Sequence, residues 1–425
     1  MRTARSKGRA KVLHPWLRKR RSPDSWVVPR FLFCCQPIIF LVPKLERLQS
    51  NCEALEFVDT TSENEEENYP LGVDHKPDLV AYIPACSRRE TTDFSRVEVM
   101  VTVKATESHD PFRDLPPLDE HPATDTMVQA DTPEGTETLG QMAAFAAEQM
   151  AQQLRPWVFS VVIFGDHARL IRWDRSGAIF TPRFDYRESG HLEKFFTCYG
   201  SLDPGSRGVD TSITTLEDDD PKVELAKKGI GFKSQHYPHP RFYEFRLGSH
   251  HTVVGYSPES TPSLIGRASQ PFIVWDSTNQ KKRFLKDTWR VDSPGVLVEG
   301  EIYELLESKH VPNIASVVWH GDIDKCHALT SELQVCVGLD STYAMLPLTQ
   351  HKHYRLMLDK VGRPCTEYEN QYHFFTIIHQ AALGEYTLSP PLVPPICILT
   401  LSYQPTGSPI ISRGYCTATS ACGIS

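Results

Sequence analysis

The stretch from Ile265 to Ile314 constrains the fold more than any other part of the chain. It opens with I-G-R-A-S-Q-P-F-I-V-W-D, two apolar runs around a turn that starts at Gly266. R-F-L-K-D-T-W-R follows, with a short strand pattern that begins at Arg283 and ends on Lys286. V-E-G-E-I-Y-E-L-L-E-S-K-H-V-P-N-I then places apolar residues at Val298, Ile302, Leu305 and Leu306, the spacing of a helix face. The expected order is strand, turn, strand, helix, with Lys286 on the last strand and Glu299 on the helix.

A lysine on a strand followed by a glutamate on the next helix is the arrangement of a kinase small lobe. There the lysine meets the α/β-phosphates of ATP and the glutamate holds it in place. The surrounding words are more specific. F-L-K-D-T-W-R, E-G-E-I-Y-x-L-L and V-P-N-I resemble the fungal-type protein kinase-like family. V-I-F-G-D-H-A-R-L-I-R-W-D-R-S-G-A at 162–178 looks like the region before that lobe, and Y-R-L-M-L-D-K-V-G-R-P at 354–364 resembles its hinge. The resemblance covers residues 70–380, roughly. It implies ATP as the ligand, with Gly266, Lys286 and Glu299 as binding residues and backbone near Leu356 to Asp359 facing the adenine.

Two departures weaken that implication. A kinase phosphate loop reads G-x-G-x-x-G-x-V, because glycines let backbone N–H groups approach the phosphates. Here Gly266 fills the first place, but Ala268 and Pro271 fill the others, and proline has no N–H to give. Beyond Val361 there is no H-R-D, no D-F-G and no D-F-D. Only Asp359, Glu367, Glu369 and Glu385 supply carboxylates in 351–425. A kinase needs an aspartate to accept the substrate proton, and an asparagine and second aspartate to hold Mg²⁺. The expectation is a small lobe with its large lobe largely missing, weak ATP binding at most, no catalytic residue and no tightly bound metal.

Ahead of the lobe the pattern is that of an α/β layer. P-D-L-V-A-Y at 77–82 and V-E-V-M-V-T-V-K at 97–104 read as strands. Residues 110–136 read as a long polar loop, and Leu139 to Leu154 as an alanine-rich helix ended by Pro156. Two strands follow around a turn at Gly165 and Asp166, then a short helix in E-S-G-H-L-E-K-F-F. Asp78 and a strand ending in Lys104 resemble the P-D…(D/E)-x-K pattern of restriction-endonuclease-like folds, with Gln141 fitting the helix that follows. In such sites carboxylates bind Mg²⁺ and the lysine helps activate water. Asp78 and Lys104 are therefore the weak metal-site candidates. Thr102 stands where the second acid belongs, and Glu98 lies too early on the strand to replace it. Arg172 and Arg175, flanking Trp173, are candidates for phosphate contacts or for surface ion pairs.

Composition narrows the remaining choices. With 40% hydrophobic and 23% charged residues most of the chain should fold, and a net charge of −8 opposes a protein that coats nucleic acid with its whole surface. The 11 cysteines include no C-x-x-C pair, which suits free thiols in a reducing compartment. The longest apolar run, Phe31 to Val42, contains Gln36 and Pro37 and falls short of the roughly 20 residues a spanning helix needs. The nine Lys/Arg between Arg2 and Arg21 read as a disordered tail or a nuclear address.

The expected organisation is α+β throughout. Residues 1–68 form a basic arm and acidic linker, 69–205 the α/β domain, and 206–235 a second acidic linker. Residues 236–380 form the kinase-like lobe and hinge, and 381–425 a divergent proline-rich tail. Localisation is expected to be intracellular, cytoplasmic or nuclear, with protein partners and no membrane. The alternative function is an interaction or nucleic-acid-associated module built on the endonuclease-like domain.

Overall fold

The computed structural model describes residues 52–60, 76–84, 92–114, 132–233, 240–249, 251–258, 262–331, 348–362 and 368–386. The chain is an α+β protein with two sheets, and it divides into two compact units.

The first unit comprises residues up to Thr211 together with Thr261–Ala268 and His327–His351. Its sheet runs β1 (Glu56–Asp59), β2 (Leu79–Tyr82), β3 (Val99–Lys104), β4 (Trp157–Phe164), β5 (His167–Asp174) and β6 (Gly177–Phe180), with β7 (Phe184–Asp185) also paired to β5. Only β3 and β4 pair in parallel, which demands a long crossover. Helix α1 (Pro133–Gln152) lies within it. Thr132 caps this helix by accepting from the Gly135 N–H at 3.1 Å, and Pro133 sits where a missing N–H costs nothing. That T-P-E start places the first helical turns inside the segment expected to be loop, six residues ahead of Leu139.

Strand alternation decides which helix covers which face. Val99, Val101, Val161 and Ile163 point to Leu192, Phe196 and Tyr199 of helix α2 (His191–Ser201). Val158, Val162, Phe164 and Trp173 point the other way, to Met142, Ala146 and Met150 of α1. Each such buried apolar side chain is worth about 1.5–3 kcal/mol relative to exposure. The expected sharing of one sheet by 77–104 and 157–174, with the helix packed on it, is found. Residues 52–60 were expected to lie in an arm and linker, but they complete this layer: Leu55 is wholly buried and β1 pairs with β2.

The second unit spans Ser212–Ser260, Ser269–Cys326 and the residues from Lys352. Its elements are β8 (Ile213–Leu216), helix α3 (Pro221–Ile230), β9 (Phe242–Leu247), β10 (His251–Tyr256), β11 (Gln270–Asp276), β12 (Lys281–Val291), helix α4 (Glu299–Ser308), β13 (Val317–His327), β14 (His351–Leu358) and helix α5 (Gln371–Tyr386). The strand order is β13-β14-β12-β11-β10-β9-β8. Helix α3 buries Val223, Ala226 and Ile230 against Phe242, Val254 and Tyr256.

Three sequence expectations are corrected here. Of the linker expected at 206–235, the described residues 206–233 are folded structure. β8 pairs with β9, and the acidic run L-E-D-D-D-P starts α3, where the Asp220 carboxylate accepts from the Lys222 N–H at 2.8 Å. Acids and proline concentrate at helix starts for the same reasons that they concentrate in loops. β12 does not stop at Lys286 but continues through T-W-R-V to Val291, a stretch rich in strand-forming types. Residues 381–386, assigned to the tail, extend α5. The basic arm and residues 387–425 lie outside the described residues.

Candidate functional site

Lys286 is carried in the middle of β12, opposite Pro271 of β11, and Glu299 is the first residue of α4. The Lys286 Nζ lies 2.9 Å and 2.8 Å from the two carboxylate oxygens of Glu299. Both side chains are about nine-tenths buried, at 13% and 10% exposure. A carboxylate at a helix start also faces the positive end of the helix dipole, a favourable placement. The neighbouring acids on α4 are engaged elsewhere: Glu301 accepts from the Val298 N–H at 3.3 Å, and Glu304 lies 3.2 Å from His320 Nε2. The expected register, with Glu299 facing the lysine, is the one present.

A second set of charges occupies the next position along β12. Asp287 accepts from Arg355 Nε at 2.6 Å and lies 2.7 Å from His353 Nε2, both on β14. Burial by itself would raise the Asp287 pKa, but the adjacent His353 and the Arg355 guanidinium hold it well below the ordinary carboxylate range. His353 stacks on Trp289 with ring centroids 4.9 Å apart, and Arg355 also donates to Ser212 Oγ at 2.8 Å. Lys286 and Asp287 therefore project to opposite faces of one strand, and each is matched by the opposite charge. Sequence spacing gave no sign of this triad, because its members are 66 and 68 residues apart.

Gly266, the remaining predicted binding residue, belongs to the first unit. Its φ is +81°, and its N–H donates to the Arg175 carbonyl at 2.9 Å. Arg175 in turn donates to the carbonyls of Ser263 and Leu264, and Leu264 is buried in the α1 core. The amide that the glycine pattern offers to a phosphate is thus already spent on a carbonyl. At the hinge position, Asp359 donates its N–H to the Ser316 carbonyl at 3.0 Å and accepts from the Ser316 N–H at 2.8 Å, which fixes the backbone after Leu358.

In the first unit the structure gathers Asp78, Lys104 and Gln141. Lys104 Nζ donates to Gln141 Oε1 at 2.8 Å, and Asp78 accepts from the Val103 N–H at 2.7 Å. Burial raises the Asp78 pKa, with the Val103 N–H and Lys104 opposing it in part. Thr102 is buried at 2% exposure where an acid would be needed. Glu98 is committed to Arg155 at 2.9 Å and to the Tyr199 hydroxyl at 2.8 Å. Among the described residues no group of three or more His, Cys, Asp or Glu is arranged to hold a metal ion.

The arginines around Trp173 are structural. Arg172 donates to the buried Asp174 at 2.7 Å and lies over Trp157, while Arg175 is 6% exposed and clamps Ser263 and Leu264. Neither presents a surface charge to a phosphate.

A family model described as fungal protein kinase matches residues 123–341, just over half of the chain. No curated protein and no solved structure matches it.

Proposed function

Because the chain belongs to the fungal protein kinase family, we propose that its second unit is a nucleotide-grasping small lobe with weak affinity for ATP and no phosphotransfer of its own. The observation that carries this reading is the buried two-oxygen contact between Lys286 and Glu299. A lysine so held has two of its three N–H donors directed to the carboxylate, which fixes the direction of the third and suits it to a phosphate oxygen. The backbone from Leu356 to Asp359 is the part offered to the adenine. Gly266 contributes little, since its N–H is bonded within the first unit.

Phosphotransfer needs Mg²⁺ bridging the β- and γ-phosphates and a group orienting the acceptor. The sequence after Val361 supplies neither motif. Losing electrostatic contributions of this kind typically costs factors of about 10² to 10³ each. Titration with a fluorescent ATP analogue is expected to show weak binding that is nearly independent of Mg²⁺ and abolished in Lys286→Met. Radiolabelled ATP with generic protein acceptors should leave no label. Clear incorporation that disappears in Lys286→Met would overturn the reading.

A second reading is favoured by the convergence of Asp78, Lys104 and Gln141. It makes the first unit a nucleic-acid-associated module. Metal-dependent nicking of plasmid DNA by the purified protein, lost in Asp78→Ala, would establish it; intact plasmid is the expected result. No helix among the described residues is long and apolar enough to cross a membrane.

A further inference from the structure

The start of α4 has a capping problem that its own sequence does not solve. The first N–H groups of any helix lack intrahelical acceptors, and a side-chain oxygen at the cap position is the usual remedy. Here the cap residue is Val298, which has no such oxygen. Glu301 reaches back to the Val298 N–H, but that satisfies the residue before the helix and leaves the helical amides unserved.

The missing acceptor comes from another element. The Gly300 N–H is buried and donates to the Tyr354 hydroxyl on β14 at 2.9 Å, 54 residues away. Tyr354 is 1% exposed and packs in one cluster with Phe284, Tyr303, Leu356 and Leu358. Burial raises its pKa, so the phenol stays neutral across the physiological range. On the same turn, the His320 ring of β13 occupies the place where a side chain at 300 would go, since a Cβ there would fall 2.2 Å from the imidazole. Glycine lets the helix backbone rest directly on His320, whose Nε2 lies 3.2 Å from Glu304. Neighbouring strands β13 and β14 thus grip the first turn of α4 from below, one residue past Glu299.

We propose that Tyr354 is a positioning residue: its hydroxyl, with His320 seated on Gly300, holds α4 at the height where Glu299 reaches Lys286. The proposal rests on the nucleotide reading only for its ligand readout. Sliding the first turn by a fraction of its 5.4 Å pitch would part a contact made at 2.8 Å.

The test uses the full chain and Tyr354→Phe, which keeps the ring and removes one oxygen. The first readout needs no nucleotide: the rate at which an amine-acylating reagent labels Lys286, with Lys104 as internal control. Labelling of Lys286 is expected to rise about five- to tenfold, as for loss of one buried hydrogen bond, with Lys104 unchanged. An unchanged Lys286 rate overturns the proposal, and an equal rise at both lysines assigns Tyr354 to general stability and overturns it too. The second readout is the affinity for a fluorescent ATP analogue. It should fall by a similar factor in Tyr354→Phe, and Tyr354→Phe should have little further effect in a Glu299→Gln background, where the positioned contact is already weakened but binding is still measurable. Full additivity there overturns positioning through Lys286. If the wild type binds no analogue, the nucleotide reading falls and the acylation ratio decides alone. Gly300→Ala should accelerate Lys286 labelling as well and be relieved by His320→Ala; an effect untouched by that second change overturns the grip.

Discussion

Lys104 and Lys286 are both strand lysines that the sequence marks as candidates, and they end in opposite electrostatic situations. Lys286 meets a carboxylate with both oxygens, and the adjacent Asp287 is itself matched by Arg355 and His353. Lys104 meets the neutral amide of Gln141, while the nearby Asp78 accepts from a backbone N–H and is pushed toward its protonated form by burial. At Lys286 full charges are paired with full charges, whereas Lys104 and Asp78 are each given a neutral partner. Both lysines make charge-assisted hydrogen bonds, but the carboxylate adds attraction between full charges that the amide lacks. A lysine that must hold its direction for a ligand therefore gains from the first arrangement, whereas the second is adequate for closing a sheet end.

The contrast can be broken at four places, in falling order of effect. Asp287→Ala leaves the Arg355 guanidinium without its carboxylate in a fully buried setting and is expected to cost about 3–5 kcal/mol in denaturant unfolding. Because the folded-state pKa of Asp287 is depressed, its contribution is present above the ordinary carboxylate range and lost as pH falls through the depressed value. The deficit of the variant should accordingly shrink in strong acid. Glu299→Gln gives Lys286 the kind of partner that Lys104 has; a loss of about 1–2 kcal/mol is expected, together with weaker nucleotide binding. Asp78→Asn should act in the opposite direction. The Asp78 pKa is raised, so this group lowers stability as pH climbs from its unfolded value through its folded one. The variant should match wild type below the ordinary carboxylate range and exceed it by up to about 1 kcal/mol at pH 8. Gln141→Glu, which copies the second unit's pairing into the first, should change stability by no more than about 0.5 kcal/mol, because Lys104 already interacts electrostatically with Asp78 and is only partly buried. A large gain there would show that the neutral partner is a deficiency and would remove the lesson of the comparison.

Legibility followed sequence distance. Lys286 and Glu299 are 13 residues apart and lie on a strand and a helix whose periods are plain, so their pairing could be anticipated. Asp78, Lys104 and Gln141 could be grouped only through the resemblance to the P-D…(D/E)-x-K pattern, not through any spacing of their own. Tyr354 could not be linked to Gly300, nor Asp287 to Arg355, because a buried polar partner on a distant strand leaves no periodic trace. The acidic run before Pro221 was misread for a different reason: caps and loops draw on the same residue types, and only the following apolar face distinguishes them. Gly266 had the right neighbours in the sequence, but its amide was claimed by a carbonyl contributed from β5's end.

The make-up of the first unit has a consequence for how the chain is made. Its sheet and helices are complete in sequence by Thr211, yet two later pieces, Thr261–Ala268 and His327–His351, belong to it. Leu264 fills part of the α1 core, and the Thr330 N–H donates to the buried Asp174. On a ribosome adding about 5–20 residues per second, the last of these arrives on the order of ten seconds after Thr211. Until Leu264 is made the nascent first unit has an open apolar notch beside α1, and until Thr330 follows the Asp174 carboxylate awaits its amide, while β8 to β13 emerge and begin to pair. Co-translational folding of this protein is therefore interleaved, with the earlier unit closing only after most of the later one has been synthesised. Pausing between Ser212 and Ser260, before Leu264 is made, should be the interval in which the nascent chain depends most on a holding chaperone.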